Sequence, residues 1–375
     1  MIELLFVEDD KRAISHARQR VEDQHDDVNC EVKHFDEATD WIARNPPDII
    51  SLDLMNDGLS GEATVAGQAM YEQIWKDYFC PVIIYSAQTD AKEESRPPHP
   101  FLATIQKGSG SPAKFAKAVN EFRPHVEAIR NAKTQVRREF AVAMQTVAPF
   151  VFDNVTDKAE RVRLVTRSGR RRLAALMDDF TDHGNEGETQ LLASWEHYLC
   201  PPVGPDLLLG DLLREQGTDS HDPEGYRVIL TPSCDLVARG GRKPKVANVL
   251  VAKCLTMKAA LSAVGIPLGK KTLKDEEKLL AYKDSLKKSM LSQSFFRNIF
   301  PFPPFANVLP AMAADLKQLD LIPFGEVQTE YERVCSLDSP FREVVSWAYM
   351  QTGCRPALPD RELDQWVDEI VASHS

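Results

Sequence analysis

The sequence predicts an α/β opening third built on a doubly wound, five-stranded parallel sheet. A helical connector follows, and then an α+β region with a small β-barrel or hairpin-based sheet plus helices. Three observations carry that expectation. Short apolar, β-branched segments alternate with amphipathic ones from residue 1 to about 122, the pattern of parallel strands covered by helices. Beyond Phe122 the apolar residues Val126, Ile129, Val136, Phe140 and Met144 recur at helical spacing. Farther on, "GYRVILTPSCDLV" and "KVANVLVAKCLTM" are β-branched runs separated by a Gly/Lys/Pro turn, which reads as a hairpin. The expected boundaries are 1–122, 123–200 and 201–375, with the last part β-rich over 205–258 and helical over 259–375.

In chain order, "IELLFV" reads as the first strand and "KRAISHARQRVEDQ" as the first helix. "CEVKHF" and "EATDWIARN" repeat the unit, then "DIISLDL" with "AGQAMYEQIWKDY", then the strand "CPVIIYSA". The stretch "QTDAKEESRPPHP" is polar and proline-rich, so a loop or a shortened helix is expected where a fourth full helix would stand. "LATIQKG" and "PAKFAKAVNEF" complete the sheet and its last helix. In the final third, "FFRNIFPFPPFANVLP" cannot be helical, and its phenylalanines must be covered by packing.

Composition bounds the function classes. The chain has 375 residues, 43% hydrophobic and 27% charged, enough apolar material for two or three cores. No apolar run approaches the roughly 18 residues of a membrane span, and "MIELLFVEDD" lacks a basic leader, so a soluble, cytoplasmic protein with no membrane partner is expected. Seven scattered cysteines read as reduced thiols, not as a disulfide framework. The net charge of −11 argues against a general nucleic-acid coat.

One apolar run contains a carboxylate. In "DIISLDLMNDG", residues 48 to 58, Asp53 sits among Ile49, Ile50, Leu52, Leu54 and Met55. Burying a charge inside a strand costs several kcal/mol, so Asp53 belongs at the strand's carboxyl end, where parallel sheets bind ligands, or else it caps a turn. The other strand ends supply partners: Glu8, Asp9 and Asp10 after the first strand, Ser86 after the fourth, Lys107 after the fifth. Clustered carboxylates repel unless a divalent cation or the lysine neutralises them. An all-oxygen donor set points to Mg²⁺, held by two side-chain carboxylates, the backbone carbonyl of Met55 and water. Taken singly, Ser86 also reads as a turn residue and Lys107 as a solvated charge.

These residues resemble the receiver domain of two-component response regulators over about residues 1–122. The resemblance implies a flavodoxin-like sheet in which Glu8 and Asp9 bind Mg²⁺ and Asp53 accepts a phosphoryl group. It further implies that Ser86 contacts that group, that Lys107 pairs with it, and that a sensor histidine kinase or another phosphodonor protein is the partner. The sequence departs from the family pattern at four places, one being the polar stretch 88–100 where the family's fourth helix should begin. Gly108 follows the lysine in place of proline, Thr104 stands where an aromatic switch residue is usual, and the "DGLSGEATVAGQ" loop is extended.

The rest of the chain points less sharply. The basic segment "RSGRRRLAALMDDF", with Arg167, Arg170, Arg171 and Arg172, reads as a solvated helix face or a contact to the acidic first module, and nucleic acid is not favoured. In "SCD", Cys234 beside Asp235 is a candidate nucleophile if a histidine such as His197 or His221 lies near, but burial as a packing residue is expected. Cys200, Cys234 and Cys254 are the candidate zinc thiolates, without the usual close Cys-x-x-Cys spacing. The order of "LLLGDLL", "YRVILTPSCDLV" and "NVLVAKC" weakly resembles the barrel of plasmid toxin endoribonucleases. "ERVCSLDSPFREVVSWAY" with "TGCRPALP" resembles proteins of bacterial defence loci. Three outputs follow: a protein-binding module, a receiver-controlled effector enzyme such as a ribonuclease, or a phosphate-accepting scaffold. Self-association stays open.

Overall fold

The computed structural model describes residues 1–54, 63–87, 98–177, 193–238, 242–291, 298–353 and 363–373. It divides into two units, Met1–Glu188 and Thr189–Ser375.

The N-terminal unit runs β1 (Ile2–Val7), α1 (Ser15–Gln24), β2 (Val28–Lys33), α2 (Phe35–Arg44), β3 (Ile49–Leu52), α3 (Ala63–Asp77), β4 (Val82–Ser86), β5 (Leu102–Gln106), α4 (Ser111–Asn154) and α5 (Lys158–Met177). The five strands are ordered β2-β1-β3-β4-β5 and every pairing is parallel. Side chains alternate across the strands, so each strand feeds two cores. Ile2, Leu4 and Phe6 of β1 meet Ile14, Ala17 and Val21 of the α1 region and Phe115, Val119 and Phe122 of α4 on one face. Leu5 and Val7 meet Ile42 of α2 and Ile74 of α3 on the other. Continuous apolar runs such as "VIIYS" form strands here because both faces are covered.

Helix α4 extends for 44 residues, about 66 Å at the usual rise. The boundary expected at residue 122 therefore falls inside a helix that runs through Pro124 and Pro149. α5 folds back on α4. Ala143, Val147 and Val151 are buried along α4, and a Cβ at Gly169 of α5 would meet Met144 Sδ at 2.7 Å. At the turn between them, Asp157 Oδ1 accepts from the Glu160 amide at 2.7 Å, and Arg161 donates to the Val155 and Phe152 carbonyls.

The C-terminal unit is built on one antiparallel seven-stranded sheet, and its elements run in the following order. β6 (Tyr198–Leu199), β7 (Asp211–Glu215), β8 (Tyr226–Ile229), α6 (Ser233–Leu236), β9 (Asn248–Thr256), α7 (Met257–Ala263), α8 (Lys270–Leu273) and α9 (Glu276–Leu286) come first. β10 (Ile299–Phe302), β11 (Met312–Pro323), α10 (Val327–Glu330), β12 (Tyr331–Leu337), α11 (Phe341–Gly353) and α12 (Leu363–Ala372) follow. The strand order is β10-β11-β9-β8-β7-β12-β6. The expected hairpin forms, with Arg227, Val228 and Ile229 opposite Lys253, Ala252 and Val251. Side chains draw the two edge strands together: Tyr198 Oη of β6 donates to the Pro303 carbonyl beyond β10 at 2.6 Å, and Tyr198 and Trp195 both stack on Phe305. Two of the phenylalanines in the proline-rich stretch, Phe300 and Phe302, are buried in that core with Val345 and Ala348 of α11.

Two expected boundaries are corrected. Residues 259–375 are not simply helical, because β10, β11 and β12 lie within them. In β11 the run "LKQLDLIP" carries polar residues on an exposed face and crosses a register shift between Asp315 and Leu319, which blurs the two-residue period. Residues 123–200 are not all connector either, since β6 belongs to the C-terminal sheet.

Candidate functional site

At the carboxyl edge of the parallel sheet, three of the predicted residues meet. Glu8 follows β1, Asp53 follows β3 and Lys107 follows β5, and the Asp53 amide is tied to the Val7 carbonyl at 3.1 Å. Lys107 Nζ donates to Glu8 Oε2 and to Asp53 Oδ2, each at 2.5 Å. Both carboxylates are buried, Glu8 at 4% and Asp53 at 6% exposure, so the ammonium acts across a poorly solvated gap. Burial pushes the Glu8 carboxyl up to about 7; the Lys107 hydrogen bond opposes this and the Asp53 charge adds to it. Burial pulls the Lys107 ammonium down, but its bonds to Asp53 and Glu8 outweigh that, and its pKa stands above the ordinary value.

Ser86 ends β4 beside this pair. Its side chain is fully buried, and its Oγ has no hydrogen-bond partner among the described residues. A buried, unsatisfied hydroxyl costs about 1–3 kcal/mol, so its presence at a strand end calls for a ligand or a functional role. Its carbonyl accepts from the Lys107 amide at 2.8 Å, which fixes the ends of β4 and β5 together.

Asp9 is not drawn into the Lys107 cluster. Its Oδ1 lies 3.2 Å from His34 Nδ1. Met55, whose carbonyl was expected to join a metal site, lies outside the described residues, as do residues 57–62 of the "DGLSGEATVAGQ" loop and residues 88–97. Among the described residues no three His, Cys, Asp or Glu side chains form a metal-holding group. The donors still suit a hard cation: Glu8 and Asp53 present buried carboxylate oxygens, Asp9 is adjacent in sequence, and Lys107 supplies the balancing charge.

The strand order 2-1-3-4-5, with acids and lysine gathered at one sheet edge, is flavodoxin-like. The N-terminal unit has a flavodoxin-like fold. No protein-family model matches the chain, and no curated protein matches it. Solved structures similar to it include a two-component transcriptional regulator AraC from Clostridium phytofermentans, at 16% identity over 36% of this chain and 99% of that one, with a TM-score of 0.26. A two-component response regulator from Legionella pneumophila is similar at 14% identity over 33% and 99% of the two chains, TM-score 0.26. A bacteriophytochrome response regulator is similar at 15% identity over 49% and 99%, TM-score 0.27. The fold rests on the strand order and registers themselves, not on these scores.

One departure from the receiver pattern, Gly108, is tied into the turn that follows β5. Gly108 donates its amide to Ser111 Oγ at 3.0 Å and begins the turn into α4. Tyr85 Oη lies 2.6 Å from the same Ser111 Oγ, and Lys107 Nζ lies 5.7 Å from the Tyr85 ring centroid.

In the C-terminal unit the second candidate does not assemble as expected. Cys234 lies in the short α6 and is exposed, which corrects the expectation of burial. Its Sγ faces Asp235 Oδ1 at 3.5 Å, and that carboxylate is already paired with Lys245 at 3.0 Å, so the neighbour of the thiol is an engaged acid and not an imidazole. His197 is instead stacked on Phe341 with ring centroids 3.8 Å apart. Of the candidate zinc thiolates, Cys254 is buried in β9, and burial pushes it up to about 12, while Cys200 is exposed with its thiol against the Val334 carbonyl.

A buried polar cluster in the same unit was missed. Asp211 is fully buried on β7, and its Oδ2 pairs with Arg333 Nε at 2.7 Å and accepts from the Leu208 amide at 2.7 Å. Its Oδ1 accepts from Ser336 at 2.6 Å. Burial raises its carboxyl, and the Ser336, Leu208 and Arg333 contacts pull it back. The signal was the one that singled out Asp53, a carboxylate inside an apolar run, here "LLLGDLL". With these acceptor positions engaged, Asp211 anchors β7 to β12 and is not a free reactive group.

Proposed function

We propose that the N-terminal unit accepts a phosphoryl group on Asp53 and that the chain acts in two-component signalling. The observation that carries this reading is the meeting of Asp53, Lys107 and Glu8 beside the unpartnered hydroxyl of Ser86. A carboxylate oxygen of Asp53 attacks the phosphorus of a phosphohistidine; the new O–P bond forms as the N–P bond breaks, and the imidazole leaves with the bonding pair. Lys107 holds the carboxylate beforehand and offsets the added negative charge afterwards, and Ser86 donates its hydroxyl to a phosphoryl oxygen. Glu8 and Asp9 would hold Mg²⁺, which when bound neutralises charge on the transferring oxygens. The phosphodonor is a sensor histidine kinase or another phosphorylated protein.

The output is read as protein binding. An apolar cavity of about 480 Å³, lined among others by Phe300, Phe302, Phe341 and His197, suits an apolar side chain of a partner. An effector nuclease switched by the N-terminal unit is the alternative, favoured by the hairpin-based sheet, whose edges meet at Tyr198 and Pro303.

Labelling with a small acyl-phosphate donor in the presence of Mg²⁺ tests the central claim. The wild-type chain should take up one phosphoryl group, Asp53→Asn none, and Lys107→Ala should lose it faster or form less. Uptake by Asp53→Asn equal to wild type would remove the assignment.

A further inference from the structure

Helix α5 contains six arginines and one lysine but a single acid, Glu160, in 20 residues, within a chain whose net charge is −11. Gly169 fixes which side of α5 meets α4, through its close approach to Met144. At 3.6 residues per turn, positions 163, 167, 170 and 171 lie away from that contact, and all four arginines are exposed. With Val162 and Thr166 they line a depression of about 520 Å³.

These charges are not consumed by the unit's own acids. Arg163 pairs with Glu160 at 2.9 Å, whereas Arg167, Arg170 and Arg171 have no acidic partner among the described residues. At the opposite, amino-terminal edge of the parallel sheet, Asp27 and Asp48 are paired with Arg123 and Arg130 of α4. The contact between the basic segment and the acidic module, one of the two readings of the sequence, is therefore absent among the described residues of this unit.

The chemistry of the face selects its partner. Arginine presents a planar fork that pairs two phosphate oxygens at once, and its use almost to the exclusion of lysine fits phosphate better than a diffuse counter-charge. The row from 163 to 171 spans about 12 Å along the helix, long enough to touch successive phosphates of a strand. A lipid surface would call for an apolar flank, and this face offers Val162 without an aromatic residue. We propose that the arginine face of α5 binds the phosphodiester backbone of nucleic acid without reading its sequence.

The test uses the full-length protein, a duplex DNA and a single-stranded RNA of arbitrary sequence, and fluorescence anisotropy over a series of salt concentrations. Binding to at least one of them should weaken steeply with salt. The triple change Arg167→Ala, Arg170→Ala and Arg171→Ala should lower affinity about tenfold or more, and the log–log salt slope should flatten by about 0.9 per lost contact on duplex DNA or about 0.7 on a single strand. Replacing the same three by lysine should keep most of the binding. Alanine favours helix, so circular dichroism should confirm that α5 is retained. The comparison of duplex with RNA identifies the natural source of the phosphates. Equal affinity of wild type and the alanine variant would overturn the proposal. So would failure to bind either nucleic acid, whether or not the arginines then prove necessary for capture by phosphatidylserine vesicles or for self-association.

Discussion

At the scale of single residues, the energetics of the site turn on two buried carboxylates sharing one ammonium. Glu8 has a folded pKa of about 7, above its ordinary 4.5, so folding favours its protonated form. The associated stability is complete below about pH 4.5 and is lost as the pH rises through 7. In metal-free buffer, thermal unfolding of the N-terminal unit should therefore shift to lower temperature between pH 6 and pH 8. Glu8→Gln should flatten that dependence, an effect of roughly 1–3 kcal/mol. Added Mg²⁺ should stabilise more at pH 8 than at pH 6, because a cation favours the ionised carboxylate. A profile unchanged by Glu8→Gln would show that another group sets it. The meeting of Asp53 and Lys107 at one sheet edge was legible in sequence because a charge inside or just after an apolar strand has few inexpensive explanations. The exposure of Cys234 was not, since a cysteine next to "YRVIL" has the same local sequence whether the chain continues the strand or turns into α6.

At the scale of elements, the hairpin of α4 and α5 depends on one close approach. Gly169 leaves room for the Met144 sulfur, the movable end of a flexible side chain. Gly169→Ala should therefore be nearly neutral, its gain of about 1 kcal/mol in helix propensity offsetting the small displacement of Met144. Gly169→Leu should separate the helices and cost about 1–3 kcal/mol by overpacking. Thermal unfolding of the full chain followed by circular dichroism at 222 nm checks both; a leucine variant as stable as wild type would mean that the hairpin packs loosely. The helices themselves were readable from apolar spacing, but the union of "PAKFAKAVNEF" with the following segment into one helix was not. Pro124 stands between the two segments, yet a long helix can run through a proline when its neighbours hold it, here Phe122 and Val126 buried against the sheet.

At the scale of the whole molecule, the carboxyl edge of the parallel sheet and the hairpin share one continuous element. Lys107 and Gly108 lead directly into α4, so a change at the Lys107 ammonium acts at the start of the 44-residue helix. A phosphoryl group on Asp53 adds charge beside that lysine and would redistribute its two hydrogen bonds. Beryllofluoride, a mimic of the acyl phosphate, should therefore change the scattering-derived dimensions or the mass of the full-length chain, and should do so in wild type but not in Asp53→Asn. Identical values with and without the mimic would show that α4 does not transmit the change. Among the described residues no helix is long and apolar enough to cross a membrane.

Local chemistry determined the parallel sheet and the acidic edge. Apolar runs flanked by turn residues have few alternatives to buried parallel strands, and strand ends in such a sheet converge whatever the side chains between them. Tertiary structure alone decided matters of distance and partnership. It set Lys107 between Glu8 and Asp53, turned Asp9 toward His34, buried Asp211 with Arg333 across 122 residues of sequence, and left the α5 arginines outward. Such contacts join residues far apart in the chain, and no local period or spacing encodes them. They are selected by which burial and pairing of charge costs least once the whole chain has closed.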